Sequence, residues 1–202
     1  MIYAIKRSIV WISRFTHSRG FGVQSPTAYR FLRYVINEHY PYYAYYDLGK
    51  TIPNLDSRRR KLCKLYFRIS NYCQAEKCLI YGADSDAYAE YIKAGCHKSE
   101  VIIGGGKYPI NTNDRNNPSY IDTSLNLLST RSDYKAIYED IANHASEKTI
   151  LIIQHIKRNP LTRHFWRNVE NDTRTGITFD LYYCGIVMFD KKIVKQKYKV
   201  NF

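Results

Sequence analysis

Apolar residues in roughly the first 75 positions recur at helical spacing, and from about position 77 they gather into short runs that read as strands. Ile2, Ile5, Ile9 and Ile12 fall on one face of a helix over residues 2–15, flanked by Trp11 and Phe15, with Lys6, Arg7 and Arg14 elsewhere on its surface. Such a basic amphipathic helix either packs its isoleucine stripe on the main domain or lies on a membrane surface. Gly20, Gly22 and Pro26 mark a turn, and Ser25 is placed to cap a helix whose first position is Pro26. Tyr29, Phe31, Leu32, Val35 and Ile36 carry that helix to about Glu38. A cluster of tyrosines follows, Tyr40, Tyr42, Tyr43, Tyr45 and Tyr46, broken by Pro41. The next helix spans Ser57 to Cys73, with Leu62, Leu65, Tyr66 and Ile69 on its apolar face and Arg58, Arg59, Arg60 and Lys64 on its wet one. Beyond it, strands are predicted at Cys78 to Tyr81, Glu100 to Ile103, Ser119 to Asp122, Thr149 to Ile153, Thr178 to Tyr183, Gly185 to Phe189 and Lys197 to Phe202. Helices fit at Asp86 to Ala94, Ser132 to Ala145 and Leu161 to Val169.

Buried apolar strands with intervening helices imply an α/β sheet, parallel at first. The last strands lie too close together for helical crossovers and are expected to pair antiparallel. Residues 104–118, GGGKYPINTNDRNNP, show no periodic pattern and read as a mobile loop. At 202 residues the chain can bury one good core, and no apolar run approaches the about 20 residues that cross a bilayer. The N-terminal apolar pattern is interrupted by Lys6 and Arg7 and lacks a small-residue cleavage site, which argues against a secretory signal. Cys63, Cys73, Cys78, Cys96 and Cys184 are odd in number and show no CxxC spacing. Reduced thiols in a cytoplasmic protein without a zinc site are the expectation.

Charge divides the chain unevenly. Residues 1–70 hold 13 Lys and Arg against 3 Asp and Glu, whereas residues 71–202 hold 18 against 15. The basicity of the N-terminal third is compatible with nucleic acid, an anionic membrane surface or an acidic partner protein, and equally with a solvated surface that maintains solubility. Arg58-Arg59-Arg60-Lys61 beside the tyrosine cluster would supply the phosphate contacts and stacking platforms of single-strand nucleic-acid binding. Lys157, Arg158, Arg163 and Arg167 offer a second basic edge. The same tyrosines, so close to a proline, suit a hydrophobic plug between helices and sheet.

The richest local signal is Lys77 to Asp86, KCLIYGADSD. A buried strand runs into a helix through Gly82, the strand–turn–helix outline of a nucleotide site. A nucleotide-binding turn carries further glycines, and here Ala83, Asp84, Ser85 and Asp86 follow. Asp84 and Asp86 suit the positive end of the helix dipole. His155, after the apolar run Ile150 to Ile153, is a candidate general base at a strand end or a hydrogen-bonded structural histidine. Gly104, Gly105 and Gly106 can cradle an anion or act as a flexible link.

Three stretches carry a resemblance: Gly22-Val23-Gln24-Ser25-Pro26 with Tyr29 and Phe31; Tyr66-Phe67-Arg68 through Asn71-Tyr72; and Trp166 followed by Asp180 to Phe189. With the order of elements, they resemble class I S-adenosylmethionine-dependent methyltransferases, and more closely the methyltransferase-like proteins of Bacteroidetes type that carry a helical N-terminal extension. The resemblance implies a Rossmann-like methyltransferase fold, with a basic helical extension over residues 1–74 and an α/β domain over 75–202. It also implies that the third, edge strand is lost, with residues 104–118 in its place, leaving an exposed edge on which a homodimer could form. On this basis S-adenosylmethionine is the candidate cofactor, bordered by Gly82, Asp84 and Gly104, with Asp122 and His155 facing the methyl acceptor. The motifs are degenerate. Ile80 stands where the family has an acid before the glycine turn, Asp86 where it has a second glycine, and Gly104 where a carboxylate would hold the ribose hydroxyls. Of the three oxygen ligands for a metal only Asp122 is kept, since Gln154 and His155 occupy the other two places, so no metal is expected. The sequence thus supports two functions: a methyltransferase-like protein with an eroded cofactor site, or a non-catalytic module that binds an anionic partner through the basic N-terminal third.

Overall fold

A computed structural model describes residues 14, 22–82, 85–104, 124–190, 192 and 194–202. The helix expected over residues 2–15 lies outside them except for Arg14, which is helical. The first described helix, α1, runs from Pro26 to Phe31 and continues through a π-helical turn at Leu32–Ile36. Ser25 caps it as expected: its hydroxyl accepts from the Ala28 N–H, and Pro26 at the first position forfeits no bond. α2 spans Tyr43–Thr51, where the sequence reads only as a tyrosine cluster. α3 spans Ser57–Cys73, capped by Asp56, whose carboxylate accepts from the N–H groups of Arg58 and Arg59 at 2.8 and 2.9 Å. A cap of this kind is worth about 1 kcal/mol.

The sheet begins with β1 (Lys77–Tyr81), followed by α4 (Ser85–Gly95), β2 (Glu100–Gly104) and β3 (Leu125–Ser129). Next come α5 (Tyr134–His144), β4 (Ile150–Gln154), α6 (Pro160–Asn171), β5 (Ile177–Asp180), β6 (Cys184–Met188) and β7 (Gln196–Lys199). The seven strands form one sheet in the order β2-β1-β3-β4-β6-β5-β7. β2, β1, β3 and β4 are mutually parallel, and β6 runs antiparallel to both β4 and β5. This is the mixed, Rossmann-like arrangement that the methyltransferase resemblance implies, with the antiparallel hairpin beside β4. Among the described residues β2 forms one edge of the sheet.

Two expectations need correction. The strand between β1 and β4 is Leu125–Ser129; the segment Ser119 to Asp122, read as that strand from the sequence, lies outside the described residues. β7, expected to pair antiparallel, lies parallel to β5, with Asp180 opposite Lys199. The reason is geometric. Because β6 is antiparallel to β5, the chain leaves β6 at the end where β5 begins, so a short link returns it along the outer edge of β5 in the same direction. The Gly176 carbonyl accepts from the Gln196 N–H at 3.2 Å and anchors that return.

Each face of the sheet has its own core, as period-2 alternation requires. Cys78 and Ile80 of β1 face α1, α3 and α4, in a cluster with Phe31, Leu65, Tyr66, Ile69, Tyr91 and Phe179. Leu79 and Tyr81 face α5 and α6, with Leu128, Ile153, Phe165 and Trp166. The helices of residues 26–73 therefore share a core with the sheet rather than standing apart from it. Arg68 of α3, buried, ties them together: its Nε and Nη2 donate to the Val35 and Ile36 carbonyls at 2.7 and 3.2 Å, satisfying acceptors that the π-helical turn leaves over.

Candidate functional site at the carboxyl end of the sheet

Ligand sites of open α/β sheets lie beyond the carboxyl ends of the parallel strands. Here those ends are Gly104, Tyr81, Ser129 and Gln154. Gly82, the first residue after β1, has φ +117°, a conformation open to glycine and strained for other residues. A Cβ on Gly82 would also run into the Ser129 side chain of the neighbouring strand. The turn therefore demands glycine for conformation and for packing, before any ligand is considered. Asp84 lies outside the described residues, and α4 begins at Ser85, so the strand–turn–helix outline read from the sequence is present.

Gly104 ends β2, opposite Tyr81 in register. A Cβ there would meet the Tyr81 ring, 2.7 Å from Cε1 and 2.8 Å from Cδ1. The buried tyrosine ring thus lies against the end of β2, and any side chain at position 104 would have to displace it. At the end of β4 the Gln154 amide is buried, and its Nε2 donates to the Tyr66 hydroxyl at 3.1 Å. Burial holds the Tyr66 phenol well above its ordinary pKa, so it stays neutral.

His155 follows at φ 60°, in the left-handed region. Its N–H donates to the Tyr183 carbonyl at 2.8 Å, and its own carbonyl accepts from Arg158 N–H and the Thr130 hydroxyl. The histidine thus stitches the end of β4 to the β5–β6 hairpin, and its side chain is half-buried at the carboxyl end. Asp122 lies outside the described residues; β3 starts at Leu125, so the side chain at its carboxyl end is Ser129. Gly82, Gly104 and His155 therefore share one end of the sheet, as expected from the sequence.

Sequence reading missed the role of Asp180. This carboxylate is fully buried at the end of β5. Oδ1 accepts from Arg14 Nη2 at 3.0 Å and from the Tyr182 N–H at 2.9 Å, and Arg14 Nη1 donates to the Asp180 and Val200 carbonyls. Lys157 Nζ stands 2.6 Å from Oδ2, a close ion pair rather than an aligned hydrogen bond. The Tyr182 amide bond to Asp180 also supports the left-handed backbone of Tyr182, φ 70°, in the hairpin turn. Asp180 is thus the hub that joins Arg14, the hairpin and the loop after β4. No short-range pattern marks it, because its partners lie 23 and 166 residues away.

The five cysteines are unpaired. Burial pushes the Cys63 and Cys73 thiols up to about 12 and about 11, and holds Cys78 and Cys184 higher still, which leaves them unreactive at neutral pH. Among the described residues there is no group of three or more His, Cys, Asp or Glu able to hold a metal, and no helix is long and apolar enough to cross a membrane.

S-adenosylmethionine needs acceptors for its ribose hydroxyls and donors or acceptors for its adenine. Among the described residues at this end of the sheet, Gly104 offers no side-chain acceptor, its open side faces the Tyr81 ring, and the Gln154 amide donates to Tyr66.

No family model matches the chain, and no curated protein does. Among solved structures it is similar to the methyltransferase PaMTH1 of Podospora anserina bound to SAH, at 12% identity and a TM-score of 0.48, over 82% of this chain and 96% of that one. A likeness at that level carries no correspondence between individual residues.

Proposed function

We propose that this protein is a relative of the S-adenosylmethionine-dependent methyltransferases that keeps their sheet and has an eroded cofactor site. The observation that supports the reading is the pairing of Gly104 with the Tyr81 ring at the end of β2, where the resemblance to the methyltransferases implies a carboxylate that would hold a ribose. On this reading Gly82, Asp84 and Gly104 border the former cofactor corner and His155 its acceptor side, whereas Asp122, expected there from the sequence, precedes β3 in the chain and is not assigned to that end. The test is calorimetric titration with S-adenosylmethionine and S-adenosylhomocysteine, paired with thermal melts. A ligand at 100 times its Kd stabilises the folded state by about 2.7 kcal/mol, so binding cannot hide from the melt. The expected outcome is no heat and no Tm shift up to millimolar ligand. A micromolar Kd with a matching rise in Tm would overturn the proposal.

A second reading has an observation of its own. Arg58 and Lys64 make ring contacts, over Tyr183 and Tyr45, but no ion pair with a carboxylate among the described residues. Cations displayed on aromatic rings suit a module that engages an anionic partner, such as nucleic acid or an acidic protein. Its affinity for single-stranded nucleic acid would fall steeply between low and moderate salt through counterion release. Binding that ignored salt would count against it.

A further inference from the structure

A cavity of about 410 Å³ opens between α3 and the β5–β6 hairpin, but its rings are already covered, Tyr183 by Arg58 at 4.7 Å and Phe202 by the Lys61 ammonium at 4.6 Å. The outward face of α1 is different. Along it exposed and buried residues alternate in pairs: Tyr29 and Arg30 exposed, Phe31 and Leu32 buried, Arg33 and Tyr34 exposed, Val35 and Ile36 buried. A repeat of four does not suit an α-helix, whose about 3.6 residues per turn would rotate each exposed pair away from the one before. Here the helix passes at Leu32 into the π-helical turn, closed by the Asn37 N–H on the Leu32 carbonyl at 2.9 Å. The wider turn offsets the rotation, and such turns recur at functional sites. Two tyrosine–arginine pairs therefore share one outward face, and Arg68 holds the turn that aligns them.

All four side chains are open to a ligand. Tyr34 is 62% exposed and Tyr29 43%, and among the described residues neither ring makes a ring or cation contact. Arg30 and Arg33 are exposed, and among the described residues their side chains make no ion pair and no hydrogen bond. The first acidic residue of the whole chain is Glu38, whose carboxylate accepts from the Tyr40 N–H at 2.7 Å. Arg30 and Arg33 stand three apart on the helix and repel one another, a cost that a bound phosphate would remove. A guanidinium offers phosphate oxygens a planar fork, and a tyrosine offers a base a face to stack on. An acidic peptide would satisfy the two arginines and leave both rings in water. A nucleotide strand would use all four groups.

We infer that the outward face of α1 holds single-stranded nucleic acid, with Arg30 and Arg33 on neighbouring phosphates and Tyr29 and Tyr34 against the adjoining bases. The inference rests on the second reading above, that the chain engages an anionic partner, and assigns the contact to α1 rather than to Arg58 and Lys64. It is independent of whether the Gly82–Gly104 corner binds a cofactor.

The probe is a fluorescein-labelled oligouridine RNA of about 12 nucleotides, titrated with the full chain by fluorescence anisotropy across a salt series. A micromolar Kd is expected at low salt, weakening steeply as salt rises. Replacing both arginines, Arg30→Ala with Arg33→Ala, should weaken binding about 10-fold or more and flatten the salt slope by about 0.7 for each arginine. Tyr34→Ala should lose roughly fivefold or more at an unchanged slope, because a ring carries stacking and no charge, and Tyr34→Phe should match the parent chain. These positions are exposed, so the melting temperatures of all three variants should stay near the parent's. Undiminished binding by the double arginine variant overturns the inference, as does a Tyr34→Ala variant that binds like the parent. RNA binding that survives those substitutions and is lost with Arg58→Ala and Lys64→Ala overturns the α1 site while the anionic-partner reading stands. No RNA binding at low salt overturns the α1 site, and if polyglutamate of equal length binds instead, the partner is an acidic protein. Absence of binding to both polyanions overturns that reading as well.

Discussion

The contact between Gly104 and Tyr81 is tested most directly by filling it. Gly104→Ala would place a methyl group 2.7 Å from Cε1 of the buried Tyr81 ring, so the ring or the strand end has to shift. Overpacking of this kind costs about 1–3 kcal/mol. The reduced freedom of alanine in the unfolded chain returns about 0.5–1 kcal/mol. The net expectation is a loss of about 0.5–2 kcal/mol. Tyr81→Leu removes the ring and keeps an apolar side chain, so in that background Gly104→Ala should lose its penalty and become neutral or stabilising. A double-mutant cycle by urea denaturation then reads a coupling of about 1–3 kcal/mol, well above the about 0.5 kcal/mol of independent sites. Additive substitutions would show that the ring does not occupy the end of β2. The physical basis of the eroded-site reading would then be gone.

Asp172 accepts from the Arg174 side chain and from the Tyr138 hydroxyl at 2.8 Å, and the Arg174 hydrogen bonds, against a smaller opposing effect of burial, hold its carboxyl far below the usual range. The stabilisation it supplies is complete above the ordinary carboxylate pKa near 4 and is lost as pH falls towards the lowered folded value. Asp172→Asn should therefore cost about 1–3 kcal/mol at pH 7, with the gap from the parent chain closing below pH 4 in urea melts. Glu170 has the opposite sign: burial first, and repulsion from Asp180 second, raise its pKa, so the folded state holds its proton more tightly than the unfolded chain. Its contribution is greatest below the unfolded pKa and falls as pH rises through the folded one; Glu170→Gln should raise Tm at pH 7 and leave it unchanged at pH 4, and a lower Tm at pH 7 would refute the assignment.

Much of the architecture was legible because burial imposes period. α3 was read with its observed ends, since Asp56 caps it and Leu62, Leu65, Tyr66 and Ile69 mark one face. β1, β2, β4, β5 and β6 lay within a few residues of their predicted positions. β3 was missed because Asn126 interrupts its apolar run, although the strand is buried on both faces and the Asn126 side chain lies in the interior. α2 was hidden by the tyrosine cluster, yet the signal existed: Tyr42, Tyr45, Leu48 and Ile52, spaced three to four apart, all pack against the core, while Tyr40, Tyr43 and Tyr46 stay exposed. Plug and surface are thus both present among the same tyrosines. The Asp180 hub and the cavity had no local signature, because each is assembled from segments far apart in the chain.

The position of that cavity follows from what closed the rest of the carboxyl end. At the carboxyl ends of the parallel strands a Cβ on Gly104 would meet Tyr81, a Cβ on Gly82 would meet Ser129, and Gln154 donates to Tyr66, so the described side chains crowd these strand ends. The cavity among the described residues lies beside the antiparallel hairpin, and its cationic wall belongs to α3. For that wall to face the hairpin, two restraints must hold together. Arg68 fixes the π-helical turn to α3, and Asp180 holds the hairpin turn through Tyr182 while gripping Arg14. A chain that retained only the sheet would have the rings of Tyr183 and Phe202 without Lys61, Lys64 and Arg68 opposite them.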